Sequence, residues 1–452
     1  MTLLIISPDY ASHLYPLATL GTAWLAAGER VVVASGPATA SIVGSFGFER
    51  ENLQLGRGSN PGVIRAEQQP AGEDDALRGF FAATRQGMVA TLRFQAQARN
   101  ADLLWNPVET AREVQRLVAR MRPDHVIVDH LAFSARLALT SAGIRHADVV
   151  LGHPTALSVG DEIYGYPSAW PGCFAPDLED LADLARLCGD VRDTFTAQWN
   201  DARALLDPGA TASEDAFAES GDLLLLNYPA ELHDPGRGRL LPEHAFLGSA
   251  VRVEATDPDV ERWLAGSDAP VVYVSFGSFL SVRADVLAHV VEALRGLPVR
   301  VAVATGSTGA AALGPVPASW LVREFLPQVR LLGASVLAVT HGGNNSVTEA
   351  MTAGVPLLLL PFSTDQFAGA AALEDARFGV TLDPNAATAG EIRAVASGLL
   401  ELAGDPRDRL DRLRDSLAGG TGSRRAYEAL LRSPALGVPA LGVPAPGGPA
   451  PH

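Results

Sequence analysis

Cysteine is nearly absent from this chain of 452 residues: Cys173 and Cys188 are the only two. Two cysteines cannot build a disulfide framework, and these two lack the spacing of a metal site, so a reducing cytoplasm is the expectation. Long apolar runs are missing too. No run reaches the roughly 20 residues that a helix needs to cross a bilayer, which argues against stable membrane insertion. The apolar start, residues 1–7, is short and has no basic leader; it reads as a buried first strand rather than a signal peptide. Positive charge is scarce, with 35 Lys+Arg against 51 Asp+Glu and a formal net charge of −16. That balance speaks against a nucleic-acid partner. There is no Walker lysine and no G-x-G-x-x-G loop.

Hydrophobic residues make up 47% of the chain, and its length suits two domains with a core each. Residues 2–9 read as a strand, 14–27 as a helix ended by Gly28, and 30–36 as a second strand. The same order returns with a strand at His125–Asp129, a helix at 132–142 and a strand at 147–151. These apolar runs do not alternate, so the strands are covered on both faces, as in a parallel sheet. Residues 56–80 read as a loop, 84–99 and 108–121 as helices, and Leu223–Leu226 as another buried strand. The stretch 249–270, with Asp257-Pro258, reads as an interdomain connection. A second series of strands follows at Val271–Ser275, 299–304, 337–340 and 357–360. The expected organisation is α/β throughout: a Rossmann-like domain over 1–248, a linker, and a second Rossmann-like domain over 271–432. A Pro/Gly-rich tail, 433–452, repeats Ala-Leu-Gly-Val-Pro and is expected to be disordered.

The densest chemistry lies in Thr340-His341-Gly342-Gly343-Asn344-Asn345-Ser346-Val347-Thr348-Glu349, with Asp365-Gln366 further on. It reads as a buried strand running straight into a helix, the place where open α/β sheets bind ligands. A helix start offers unpaired N–H groups and the positive end of a dipole, which suits a diphosphate. Gly343 lets the backbone approach, and His341 and Ser346 can donate to phosphate oxygens. Glu349, one turn on, is placed to accept from ribose hydroxyls. Gly277 and Ser278, after the strand at Val271–Ser275, can supply a second phosphate contact. No acidic pair adjoins the motif, and Asp74-Asp75 lie in a polar stretch, so no metal is expected.

The pattern H-x-G-x-N-S-x-x-E followed by D-Q resembles the donor signature of the family 1 UDP-glycosyltransferases. Phe325-Leu326-Pro327-Gln328 is similar to the W-x-P-Q that opens that signature, and His13-Leu14-Tyr15-Pro16 to the family's G-H-x-x-P. The resemblance implies a GT-B fold, two doubly wound domains facing a cleft, and no cofactor beyond a UDP-sugar co-substrate. It implies that His13 is the general base for an acceptor hydroxyl, with Asp129 at the end of a strand orienting its imidazole. It places Phe325 and Gln328 on the donor, and Asp365 and Gln366 on the sugar hydroxyls. Two departures stand out: the family's opening Trp is Phe325, and the Trp before the Asn is Asn344. Phe325 can stack on a base, with less area and no indole N–H. The expected acceptor is a small hydrophobic natural product bound by the first half, where Tyr164, Tyr166, Trp170 and Phe174 either line a pocket or pack under a loop. The expected donor is UDP-glucose. A TDP-deoxysugar transferase of antibiotic pathways and a nucleotide-binding homologue without activity are the alternatives.

Overall fold

The computed structural model describes residues 1–60, 73–277 and 283–436. Two parallel sheets organise them. The first has β1 (Thr2–Ile6), β2 (Arg30–Ser35), β3 (Glu49–Asn52), β4 (His125–Asp129), β5 (Ala147–Val150), β6 (Leu223–Leu226) and β7 (His244–Phe246), in the order β3-β2-β1-β4-β5-β6-β7. The second has β8 (Val271–Ser275), β9 (Arg300–Ala304), β10 (Leu321–Arg323), β11 (Ser335–Thr340), β12 (Leu357–Leu359) and β13 (Gly379–Thr381), in the order β10-β9-β8-β11-β12-β13. All neighbours run parallel. The central strands are Val, Ile and Leu runs with both faces buried, because helices cover each side.

Each order reverses once, between β1 and β4 and between β8 and β11. Ile6 pairs with Val128 and Thr340 with Ser275, so the strand ends at each reversal are level. A crevice opens there at the carboxyl ends.

Four expectations change. Helix Glu73–Thr84 occupies part of the expected loop. Within the linker, Pro258–Ala265 is a helix: Asp257 caps it by accepting from the N–H groups of Asp259 and Val260, and Pro258 takes the first turn. Val260 packs into the second domain's core. The last helix, Gly422–Arg432, belongs by packing to the first sheet rather than the second. Its Ala426 and Leu430 join Leu14, Leu17 and Trp24 in one core, and Tyr427 donates to Glu29 at 2.9 Å. Leu436 is buried in the same core, so the chain is ordered past the expected start of the tail; 437–452 lie outside the described residues. Among the described residues no helix is long and apolar enough to cross a membrane.

Candidate active site

His13 sits in the first turns of helix Ala11–Ala26, just beyond β1, and Asp129 is the last residue of β4. The reversal of the first sheet therefore brings together two residues 116 positions apart. His13 Nδ1 lies 2.6 Å from Asp129 Oδ2, and Asp129 Oδ1 accepts from the Leu131 N–H at 2.9 Å. Asp129 is fully buried, while 27% of the His13 side chain is exposed. Burial pulls the His13 pKa down, but the charge and hydrogen bond of Asp129, with help from Asp365, outweigh it and hold the imidazole above its ordinary 6.5. Burial pushes Asp129 up, yet His13, its hydrogen bond, His130 and the Leu131 N–H keep its carboxyl below the ordinary range. With Nδ1 committed to Asp129, Nε2 is the nitrogen left for a substrate proton.

Facing this pair is the start of helix Asn344–Ala353, which no side chain caps. Its first N–H groups have no partner within the helix. Gly343 is required by proximity: a Cβ there would lie 2.5 Å from His341 Nε2. Gly342 turns the chain at φ 82, a conformation that favours glycine. Burial pushes His341 down to about 4, so at neutral pH it is an uncharged donor or acceptor.

A cavity of about 1000 Å³ lies between the two groups. His13, Gly277, Phe325, Gln328, His341, Gly343, Asn345, Ser346 and Asp365 all line it, and Asp129 stands behind His13. Ser278 lies outside the described residues. Tyr164 and Tyr166 line the first half's share, whereas Trp170 and Phe174 pack with helix Leu178–Leu206.

Two expected donor residues are not brought to the cavity. Glu349 is buried and both its oxygens are taken: Oε1 accepts from Arg252 at 2.8 Å and Oε2 from the Gln328 amide at 2.6 Å. Burial raises its pKa, and Arg252 and Gln328 oppose the rise. Gln366 is spent on its own loop. Its oxygen accepts from the N–H groups of Phe362 and Ser363, and its nitrogen donates to Ser363 Oγ. Asp365 does line the cavity, though Oδ2 accepts from the His153 N–H at 2.5 Å and Oδ1 from the Thr364 hydroxyl at 2.9 Å.

The sequence reading missed Arg252, which reaches the cavity from the linker, packs over Tyr15 and pairs with both Glu349 and Glu254. A lone Arg in a polar linker carries no signal of this. It treated Asn344 as a departure only; its amide nitrogen donates to the carbonyls of Leu151 at 2.7 Å and Asn227 at 2.9 Å, while Asn345 donates to the Ser12 carbonyl at 3.0 Å. The candidate phosphate site is thus tied directly to the half that holds His13.

Residues 205–402 match the family model described as UDP-glucoronosyl and UDP-glucosyl transferase. The chain is 34% identical to demethyllactenocin mycarosyltransferase of Streptomyces fradiae over 52% of its own length and 51% of that protein, so it spans about half of that relative. It is 31% identical to 4'-demethylrebeccamycin synthase of Lentzea aerocolonigenes over 60% of this chain and 70% of that one. Among solved structures, the glycosyltransferase VinC in complex with DTDP superposes with a TM-score of 0.64 at 18% identity, covering 95% of this chain and 98% of VinC. With two facing doubly wound domains and these relatives, the chain belongs to the family 1 UDP-glycosyltransferases of the GT-B fold, in their bacterial natural-product branch.

Proposed function

We propose that the chain is an inverting glycosyltransferase that moves a hexose from a nucleoside diphosphate sugar to a hydroxyl of a small hydrophobic natural product. The observation that carries this reading is the His13–Asp129 pair facing an uncapped helix start across one cavity. His13 Nε2 takes the acceptor's hydroxyl proton, and Asp129 stabilises the imidazolium that results. The acceptor oxygen attacks the anomeric carbon from the side opposite the leaving group. The bond from that carbon to the diphosphate breaks, and its electron pair leaves on the diphosphate oxygen. The N–H groups at 344–346, His341 and the Ser346 hydroxyl receive that charge, an electrostatic task in which no metal or cofactor takes part. Gly277 adds a contact from the β8 loop, Phe325 stacks on the base, and Asp365 meets the sugar. The protein works in the cytoplasm, where nucleotide sugars are made.

The donor proposed is a UDP-hexose, UDP-glucose first. The second reading is a TDP-deoxysugar donor, favoured by one observation: Glu349 and Gln366, the residues expected on the ribose and sugar hydroxyls, are both occupied elsewhere. The solved relative VinC carries DTDP. The test is product mass and anomeric configuration with UDP-glucose, TDP-glucose and a TDP-deoxysugar against a panel of phenols, polyketides and lipids. An inverted glycoside supports the reading, and the donor with the highest kcat/KM chooses between its two forms. Nucleotide binding with no glycoside from any donor would leave a binding homologue as the better account.

A further inference from the structure

Among the described residues, the first half's share of the cavity holds one guanidinium and no carboxylate. Its lining includes Arg99, His130, Tyr164 and Tyr166, whereas the acidic residues of the cavity, Glu324 and Asp365, both come from the second half. Arg99 stands over the Tyr164 ring with its guanidinium carbon 5.0 Å from the centroid. Among the described residues it has no ion-pair partner. Gly165 leaves room for it, since a Cβ there would lie 2.8 Å from Arg99 Nη1. An Arg left unpaired in a cavity is notable in a chain whose net charge is −16, where acidic partners are plentiful.

A second group in the same lining is also incomplete. His130 is buried, and neither of its ring nitrogens has a hydrogen-bond partner. Its Nδ1 is 3.8 Å from Asp129 Oδ1, too long for a hydrogen bond. A buried polar group without a partner costs stability unless something else completes it.

We propose that the acceptor is an aromatic or apolar hydroxy acid whose carboxylate is received by Arg99. Arg99 and His13 line the same cavity from the first half, so a bound acid can keep its hydroxyl for the base. Tyr164 supplies an aromatic face and holds the guanidinium by cation–π contact. This rests on the glycosyl-transfer reading above, since it names the substrate class of that site.

The probes are 6-hydroxy-2-naphthoic acid and its methyl ester, which differ in charge and little in shape. Binding is followed by the fluorescence of the naphthol, and transfer by product mass with UDP-glucose, TDP-glucose and a TDP-deoxysugar. A charge-assisted hydrogen bond predicts that the wild type binds the acid roughly ten- to a hundredfold more tightly than the ester. In Arg99→Met the acid-to-ester ratio should fall towards one, and in Arg99→Lys it should recover in part, because a point charge replaces the planar fork. The melting temperature of each variant separates loss of fold from loss of recognition. Equal affinity for acid and ester in the wild type, or a Met variant that weakens both alike, overturns the proposal. Preference for the acid with no glycoside from UDP-glucose, TDP-glucose or a TDP-deoxysugar upholds a carboxylate site at Arg99 but overturns its assignment to an acceptor. Glycosylation of acid and ester with equal kcat/KM refutes it and leaves glycosyl transfer standing.

Discussion

Asp129→Asn separates the dyad from a merely structural pairing, because the structure dictates which way the new amide points. Asp129 Oδ1 accepts from the Leu131 N–H, and Oδ2 faces His13 Nδ1 at 2.6 Å. In the variant the amide oxygen keeps the Leu131 bond, so its NH2 group faces His13. Nδ1 must then accept rather than donate, and the ring proton moves to Nε2, the nitrogen that has to take the acceptor's proton. A positioned general base is worth on the order of 10²–10⁴ in rate, and turnover should fall by that much. The shape and volume of the side chain hardly change, so the melting temperature should fall only modestly and nucleotide affinity should hold. The pH profile gives a second reading. Wild-type turnover should rise with pH through a midpoint above 6.5, because Asp129 holds His13 above its ordinary value against the pull of burial. Without that charge the midpoint should move down. The same pair contributes to stability in a bounded window. His13's share is present below its unfolded pKa and is lost as pH rises through the raised folded value. Asp129's share is present above its unfolded pKa and is lost as pH falls through the lowered folded value. Turnover within threefold of wild type, with the pH limb unmoved, would remove the dyad from the mechanism.

Gly343→Ala puts a Cβ 2.5 Å from His341 Nε2 and so displaces the ring, and donor KM should rise about ten- to a hundredfold as one charge-assisted contact is lost, with little change in melting temperature. Donor titration of the variant checks it. Glu349→Gln leaves Arg252 with Glu254 alone; a cost of about 1–3 kcal/mol is expected, less than for a fully buried pair because Arg252 is partly exposed. Its ratio of UDP-glucose to TDP-glucose efficiency should stay within about twofold; a collapse of that ratio would mean that Glu349 does reach the ribose. Leu430→Ala should cost about 2–5 kcal/mol in denaturant unfolding and leave donor KM alone, because the helix Gly422–Arg432 packs in the first core, away from the nucleotide. Excess chelator should leave turnover unchanged, and magnesium or manganese should add nothing.

The sequence carried the fold where the physics is local. Unbroken apolar runs announced the parallel strands, and a His-Gly-Gly-Asn junction announced a strand end meeting a helix start. It brought residues to the cavity where one strand end or helix start supplies one residue, as at His13, Asp129 and His341. It failed where a side chain's partner is set by tertiary packing. Nothing in Glu349 foretells Arg252, 97 positions away, and nothing in Gln366 foretells that its own loop needs both ends of its amide. The last helix misled for a related reason. Its position after the second domain suggests membership there, but its apolar stripe fits a groove on the first sheet, beside Trp24. The Asp257-Pro258 start was legible as a cap and was passed over because no long apolar run followed it.

An acidic chain proposed to bind a diphosphate needs a local source of positive potential, and lysine is missing. The sequence has no lysine at all; its 35 basic residues are arginines. Of the two that reach the cavity among the described residues, Arg252 is committed to Glu349 and Glu254, and Arg99 stands with Tyr164 in the first half. What remains opposite His13 is the backbone: the uncapped N–H groups at the start of Asn344–Ala353, a neutral His341 and the Ser346 hydroxyl. Such a site needs no counter-charge to be buried when it is empty, and it meets the leaving group with dipoles already aligned. The repulsion from a net charge of −16 is spread over the surface and screened within about 8 Å at physiological salt, whereas the helix dipole acts at contact. The clamp formed by Asn344 and Asn345 on Leu151, Asn227 and Ser12 then has a clear consequence. It ties the helix start to the half that holds His13, so under the proposed mechanism the proton acceptor and the diphosphate site are aligned across the cavity before the chemistry begins.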